Sequence, residues 1–163
     1  VYLALGSNLG DKKNNLNKSI DLIQKEGILI KKKSKLYITK SWPNENFPSF
    51  INSIILIETR LNLDQLFLKI KKIEKKIGRT KSERNHPRVC DIDIIDFNGD
   101  IIHRKLGNHK LSIPHKRMHN RNFVLFPLYE LDKDWVHPKL NKNIVFLISN
   151  LTSEQLLGIK IAQ

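Results

Sequence analysis

Apolar and polar positions follow one another in short runs along this chain, and the runs predict alternating strands and helices. Val1–Leu5 is a short apolar run, read as a buried strand, and it meets a turn at Gly6-Ser7-Asn8-Leu9-Gly10. From Asp11 to Lys25, Leu16, Ile20 and Ile23 fall on one helical face, and Gly27 stops the helix. Ile28–Thr39 alternates loosely and predicts a strand. Lys40–Ser49 contains Trp42-Pro43-Asn44-Glu45-Asn46-Phe47-Pro48 and is a loop long enough to carry function. Phe50–Arg60 is apolar and β-branched, hence a strand.

Asn62 or Asp64 can cap a second helix. Its apolar stripe is Leu63, Leu66, Phe67, Ile70, Ile73 and Ile77, and Gly78 ends it. A basic loop, Arg79–Pro87, leads to a strand at Val89–Phe97. Asn98-Gly99-Asp100 then predicts a hairpin turn, with Asp100–Leu106 as the return strand. In the last third, Pro114 opens a short helix, and Phe123–Leu131, Asn143–Asn150 and Ser153–Ile159 read as helices.

The order β-α-β-β-α-β is that of a split βαβ, ferredoxin-like α+β sandwich, a mainly antiparallel sheet with helices packed on one face. No repeat, low-complexity tract or linker divides the 163 residues, so one domain over 1–163 is expected. Such a fold hosts many activities, and the choice among them rests on particular residues.

Composition narrows that choice. Lys and Arg number 29 against 16 Asp and Glu, a net charge of +13, which draws in anions. Nucleic acid, a nucleotide polyphosphate or an anionic membrane surface would each fit. The Lys, Ile and Asn bias also suits an AT-rich coding sequence, in which case Lys31-Lys32-Lys33 and Lys71-Lys72…Lys75-Lys76 are solvated faces. The arginines say more: Arg79, Arg84 and Arg88 crowd one short segment, and a guanidinium fork matches phosphate oxygens bidentately. No apolar run approaches the roughly 18 residues that span a bilayer. The single cysteine, Cys90, excludes an internal disulfide framework and a Cys-rich zinc site. A reduced, cytoplasmic protein without a leader peptide is expected.

The sharpest local pattern is Arg88-Val89-Cys90-Asp91-Ile92-Asp93-Ile94-Ile95. In a strand Asp91 and Asp93 point the same way, with Ile92 and Ile94 on the other side. Two carboxylates roughly 7 Å apart repel one another unless a cation lies between them. Mg²⁺ accepts a few carboxylates together with phosphate oxygens and water, and the neighbouring arginines supply phosphate contacts. Metal plus polyphosphate reads as phosphoryl-type transfer; the alternative is a solvated face on an edge strand. His115 and His119 stand at i, i+4, but no acidic partner lies within the segment, so His115 and Arg121 suit phosphate better than zinc. The Gly6–Gly10 turn lacks the Lys-Ser/Thr of a P-loop and reads as a tight turn with Asp11 as the cap. Phe50, Asn52 and Phe123 could sandwich a flat heterocycle and read its edge, or simply belong to the core.

Taken together, these segments resemble the 6-hydroxymethyl-7,8-dihydropterin pyrophosphokinase family of folate biosynthesis. The matching stretches are Ala4-Leu5-Gly6-Ser7-Asn8-Leu9-Gly10, Tyr37…Pro48-Ser49-Phe50-Ile51-Asn52 and Ile73-Glu74…Gly78-Arg79. They continue with Arg84 through Ile95, and with Ile113-Pro114-His115…Asn120-Arg121-Asn122-Phe123 through Leu128. The resemblance implies a ferredoxin-like monomer, alone or fused to the next folate enzyme, that uses ATP and binds neither nucleic acid nor membrane. It implies transfer of a pyrophosphoryl group from ATP to the pterin hydroxymethyl group, with AMP released. It implies that Asp91 and Asp93 hold two Mg²⁺ ions and act in catalysis with Arg79 and Arg88. Glu74, Arg79, Arg88, Ile94, His115 and Arg121 match ATP-side positions, and Phe50, Asn52 and Phe123 match the pterin site. The chain departs from the family pattern at Asn85, His86 and Lys116, where other residue types are usual, and Lys81 replaces a frequent arginine.

Overall fold

The computed structural model describes residues 1–79 and 86–162. Its strands are β1 (Tyr2–Ser7), β2 (Leu29–Lys33), β3 (Tyr37–Thr39), β4 (Phe50–Glu58), β5 (Asp91–Asp96), β6 (Ile102–Leu106), β7 (His109–Ile113), β8 (Val136–His137), β9 (Lys142–Asn143) and β10 (Ile159–Ile161). The helices are α1 (Lys12–Lys25), α2 (Leu63–Ile77), α3 (Asn122–Leu131), α4 (Ile144–Ser149) and α5 (Ser153–Leu157). The main sheet runs β10-β3-β4-β1-β5, with β2 also on β4, and its neighbours are antiparallel.

Local chemistry sets the boundaries. Asp11 caps α1 by accepting from the Asn14 N–H. Asn62 and Gln65 form a reciprocal capping box at the start of α2. Gly78 closes α2 at φ 105°, a left-handed conformation that costs glycine least. The predicted strand over Ile28–Thr39 is broken into β2 and β3, which lie on different stretches of β4. At the break the buried Ser34 hydroxyl accepts from the Ile54 N–H and donates to the Lys35 carbonyl.

Three expectations need correction. Helices cover both faces of the sheet, not one. α1 and α2 pack on a cluster that includes Leu3, Leu5, Ile55, Ile92 and Ile94. α3 and α4 close a second cluster around Ile54, Ile95, Leu125 and Trp135. The apolar residues that β4 and β5 present on their second face made this layer necessary. The return strand β6 does not pair with β5. It pairs with β7, from Ile102 opposite Ile113 to Leu106 opposite His109, across the turn at Gly107-Asn108. The outer edge of β5 is met by other groups: the Glu74 carboxylate accepts from the Ile92 N–H, and the His115 N–H donates to the Ile95 carbonyl. Pro114 opens no helix; the helical turn there is a 3₁₀ turn at Met118–Asn120.

Candidate active site

The α3 and α4 layer covers the second face of the sheet at one end. On β1, β4 and β5 the residues Tyr2, Ala4, Ile54 and Ile95 lie in or against the α3 layer. Further along the same strands stand Gly6, Asn52 and Asp91, which share one register position across the sheet, with Phe50 and Asp93 beside them. Period-two alternation puts these side chains on the α3 face, beyond the residues that α3 packs on. They form the floor of the site, with Gly6 and Asn52 buried and Phe50, Asp91 and Asp93 half-buried. A Cβ on Gly6 would lie 3.1 Å from Asn52 Oδ1, so a larger residue would press on that carboxamide, while the Phe50 ring at 3.6 Å would be in ordinary contact.

Charge is arranged around this floor. The Asp91 carboxylate accepts from Arg79 at 2.7 Å through one oxygen and from Arg88 at 3.1 Å through the other. Arg79 also bonds the Glu74 carboxylate, which takes a further bond from Lys71 at 2.8 Å. Burial works against ionisation of Asp91, but Arg79 and Arg88 outweigh it and hold the carboxyl below its usual range. Glu74 is 2% exposed, and burial pushes its carboxyl upward against the pull of Lys71 and Arg79. Asp93 is less engaged among the described residues: His115 Nε2 lies 3.9 Å from its Oδ2. Burial lowers the His115 pKa, partly offset by Asp93, which keeps the ring neutral at pH 7. Arg121 lies with its guanidinium 5.3 Å over the Phe123 ring. Burial lowers its pKa, and the aspartates lie near enough to act on it in the opposite direction.

The structure therefore brings together Glu74, Arg79, Arg88, Asp91, Asp93, His115 and Arg121, with Phe50 and Asn52 on the same floor. Phe123 is half-buried at the start of α3, against the second apolar cluster. Ile94 is separate: its side chain is buried in the first cluster, on the opposite face of β5. Arg84, Lys81 and Asn85 lie outside the described residues. His119 packs on the His137 ring, centroids 5.9 Å apart, away from His115. Cys90 is buried beside Ser19, Sγ to Oγ 3.0 Å, and burial pushes its thiol up to about 12, so it is no nucleophile.

Two participants escaped the sequence reading. Lys71 belongs to a lysine run that reads as a solvated face, yet it is only partly exposed and bonds the buried Glu74 carboxylate. Asn8 was read as part of a tight turn, yet it is 1% exposed and bonded to two loops.

No group of three or more His, Cys, Asp or Glu stands ready for a metal among the described residues. The donors present are two carboxylates on one face of one strand. That set fits Mg²⁺, which keeps waters and takes further oxygens from a bound phosphate, and fits zinc poorly.

Fold and site define an α+β domain that gathers carboxylates, arginines and aromatic rings at the end of an antiparallel sheet beyond its α3 layer. The chain belongs to the 7,8-dihydro-6-hydroxymethylpterin-pyrophosphokinase (HPPK) family, whose profile matches residues 2–133. It is 38% identical over 142 residues to the 2-amino-4-hydroxy-6-hydroxymethyldihydropteridine pyrophosphokinase of Aquifex aeolicus, covering 87% of this chain and 86% of that one. The Bacillus subtilis enzyme of the same name is 37% identical over 132 residues, 80% of this chain and 77% of its own. A mitochondrial folate synthesis bifunctional protein of Pisum sativum matches at 38%, where this chain spans only 25% of its length. A crystal structure of Plasmodium falciparum HPPK-DHPS with pterin and p-hydroxybenzoate shares the fold at TM-score 0.74 and 17% identity, over 98% of this chain and 46% of that one.

Proposed function

We propose that this chain transfers a pyrophosphoryl group from ATP to the hydroxymethyl group of 6-hydroxymethyl-7,8-dihydropterin, in folate biosynthesis. The observation that carries this reading is the pair Asp91 and Asp93 on one face of β5, with Arg79 and Arg88 on the first and His115 beside the second. In the reaction the hydroxymethyl oxygen forms a bond to the β-phosphorus and gives up its proton to water, the bond from that phosphorus to the bridging α-phosphate oxygen breaks, and AMP leaves with that oxygen. Asp91 and Asp93 would hold two Mg²⁺ ions. Mg²⁺ there supplies charge neutralisation on the triphosphate and a lowered pKa for the attacking hydroxyl.

The chain's own groups do the rest. Arg79 and Arg88 trade part of their pairing with Asp91 for phosphate oxygens, and Arg121 and neutral His115 complete the phosphate contacts. Glu74 keeps Arg79 oriented from below. Ile92 turns its N–H off the β5 edge, so by alternation Ile94 presents its main chain there. A nucleotide contact at Ile94 is thus a main-chain contact. Phe50 and Phe123 stack on the pterin, and Asn52, steadied by its bond to Thr39 at 3.0 Å, reads the pterin edge.

Read through its four principal strands, with β2 and β3 as one broken strand, the sheet order supports a ferredoxin-like core. The unit works as one domain and one monomer in the cytoplasm, and the fused relatives support its use beside a second folate enzyme. The test is product analysis with ATP, Mg²⁺ and the dihydropterin. AMP formed one for one with the pterin diphosphate is expected. ADP as the product would replace this reading with single phosphoryl transfer.

A further inference from the structure

The Asn8 carboxamide follows β1 directly and lies between the two segments that flank the floor. Its Nδ2 donates to Ser41 Oγ at 3.1 Å and to the Pro48 carbonyl at 3.2 Å. Ser41 Oγ donates to the same carbonyl at 2.7 Å, closing the neck of the Lys40–Ser49 loop that leads into Phe50. On the other side Asn8 Oδ1 accepts from the Arg88 N–H at 2.8 Å, and the Asn8 N–H donates to the Arg88 carbonyl at 3.2 Å. A second contact joins the same two segments, since the Phe47 and His86 rings lie 5.5 Å apart.

The amide orientation follows from its partners. A carbonyl at Pro48 needs a donor and an N–H at Arg88 needs an acceptor, so nitrogen faces the loop and oxygen faces Arg88. Among side chains this small, only asparagine offers two donors and an acceptor on one rigid plane. The group is buried, so either bond lost on its own leaves an unsatisfied polar atom. A shift of the loop therefore drags the carboxamide, and the carboxamide drags the main chain of Arg88, whose guanidinium holds Asp91.

We propose that Asn8 is a positioning residue that couples the loop on the pterin side to the arginine on the phosphate side, so that each substrate sets the affinity for the other. This rests on the function proposed above. A clamp that served stability alone would lower the melting temperature and leave the coupling between ligands intact.

Asn8→Asp separates the two halves, because it keeps an acceptor for the Arg88 N–H and removes both donors to the loop. Ser41→Ala removes one loop acceptor without touching Asn8. The measurement is calorimetric titration of the dihydropterin with and without Mg²⁺ and a non-hydrolysable ATP analogue, on wild type and both variants. In wild type the nucleotide should tighten pterin binding about tenfold or more. In Asn8→Asp that factor should fall to within about threefold of unity, and in Ser41→Ala part of the way, with each ligand alone binding within about threefold of wild type. A folded Asn8→Asp with undiminished coupling overturns the proposal, as does a wild type that binds both ligands independently. If Asn8→Asp does not fold, Ser41→Ala decides by the same criterion. A wild type that binds neither ligand overturns the proposed function instead.

Discussion

The Asp93 carboxylate is half-exposed, with His115 Nε2 3.9 Å away. Removing it costs the fold little, because surface side chains rarely contribute more than about 0.5 kcal/mol. Asp93→Ala should lower turnover by about a thousandfold with an unchanged denaturation midpoint; turnover within a few-fold of wild type would remove Asp93 from the metal site. Phe123→Ala should weaken dihydropterin binding about tenfold or more while ATP-analogue binding moves less than about threefold, since stacking on a ring serves only the pterin. Equal losses would make Phe123 the support of Arg121, whose guanidinium lies over its ring. The aspartates were legible because period-two alternation fixes which way strand residues point. Asn8 was not, because its partners lie 33, 40 and 80 residues away, and no local pattern encodes such contacts. Glu74 showed a trace: it interrupts an apolar stripe at a buried helical position, which a charged residue accepts only with partners.

At the scale of elements, α2 carries the basic edge of the site at its C-terminal end. Gly78, at φ 105°, turns the chain directly into Arg79. Gly78→Ala should cost about 1 kcal/mol, because the left-handed conformation penalises a Cβ. It should also lower turnover by displacing Arg79 from Glu74 and Asp91. Asn62→Ala, at the far end of the same helix, should cost about 1 kcal/mol through loss of the capping box and leave turnover unchanged. Urea denaturation and steady-state kinetics on both variants check this; equal kinetic effects would show that helix stability alone governs the site. Helices with a cap, a stripe and a glycine stop were readable for these reasons. The pairing of β6 was not, because Asn98-Gly99 and Gly107-Asn108 are both competent turns, and only the occupied edge of β5 excludes the first pairing.

The whole molecule closes through its C-terminal segment, where His137 packs against Trp135 and His119. Trp135 in turn donates to the buried Asp96 carboxylate at 2.9 Å, which ties this segment to the main sheet. His137 Nδ1 accepts from the N–H groups of Lys139 and Leu140, both at 3.2 Å, so a proton on that nitrogen would break two bonds at once. Burial, with His119 adding to it, lowers the His137 pKa below its ordinary value of about 6.5. The unfolded chain takes up this proton near pH 6.5 and the native state takes it up only at lower pH. Within that window the unfolded state binds more protons, so stability falls as pH falls and is fully present above about 6.5. His115 shifts in the same direction, its burial again the larger cause. Urea midpoints should therefore drop between pH 7.5 and pH 5. His137→Asn puts an acceptor near the place of Nδ1 without a group that titrates there. Its pH dependence should be shallower than wild type by up to one proton, about 1.4 kcal/mol per pH unit. Parallel curves for the two proteins would assign the acid sensitivity to His115 and the site, not to the closure of the C-terminal layer.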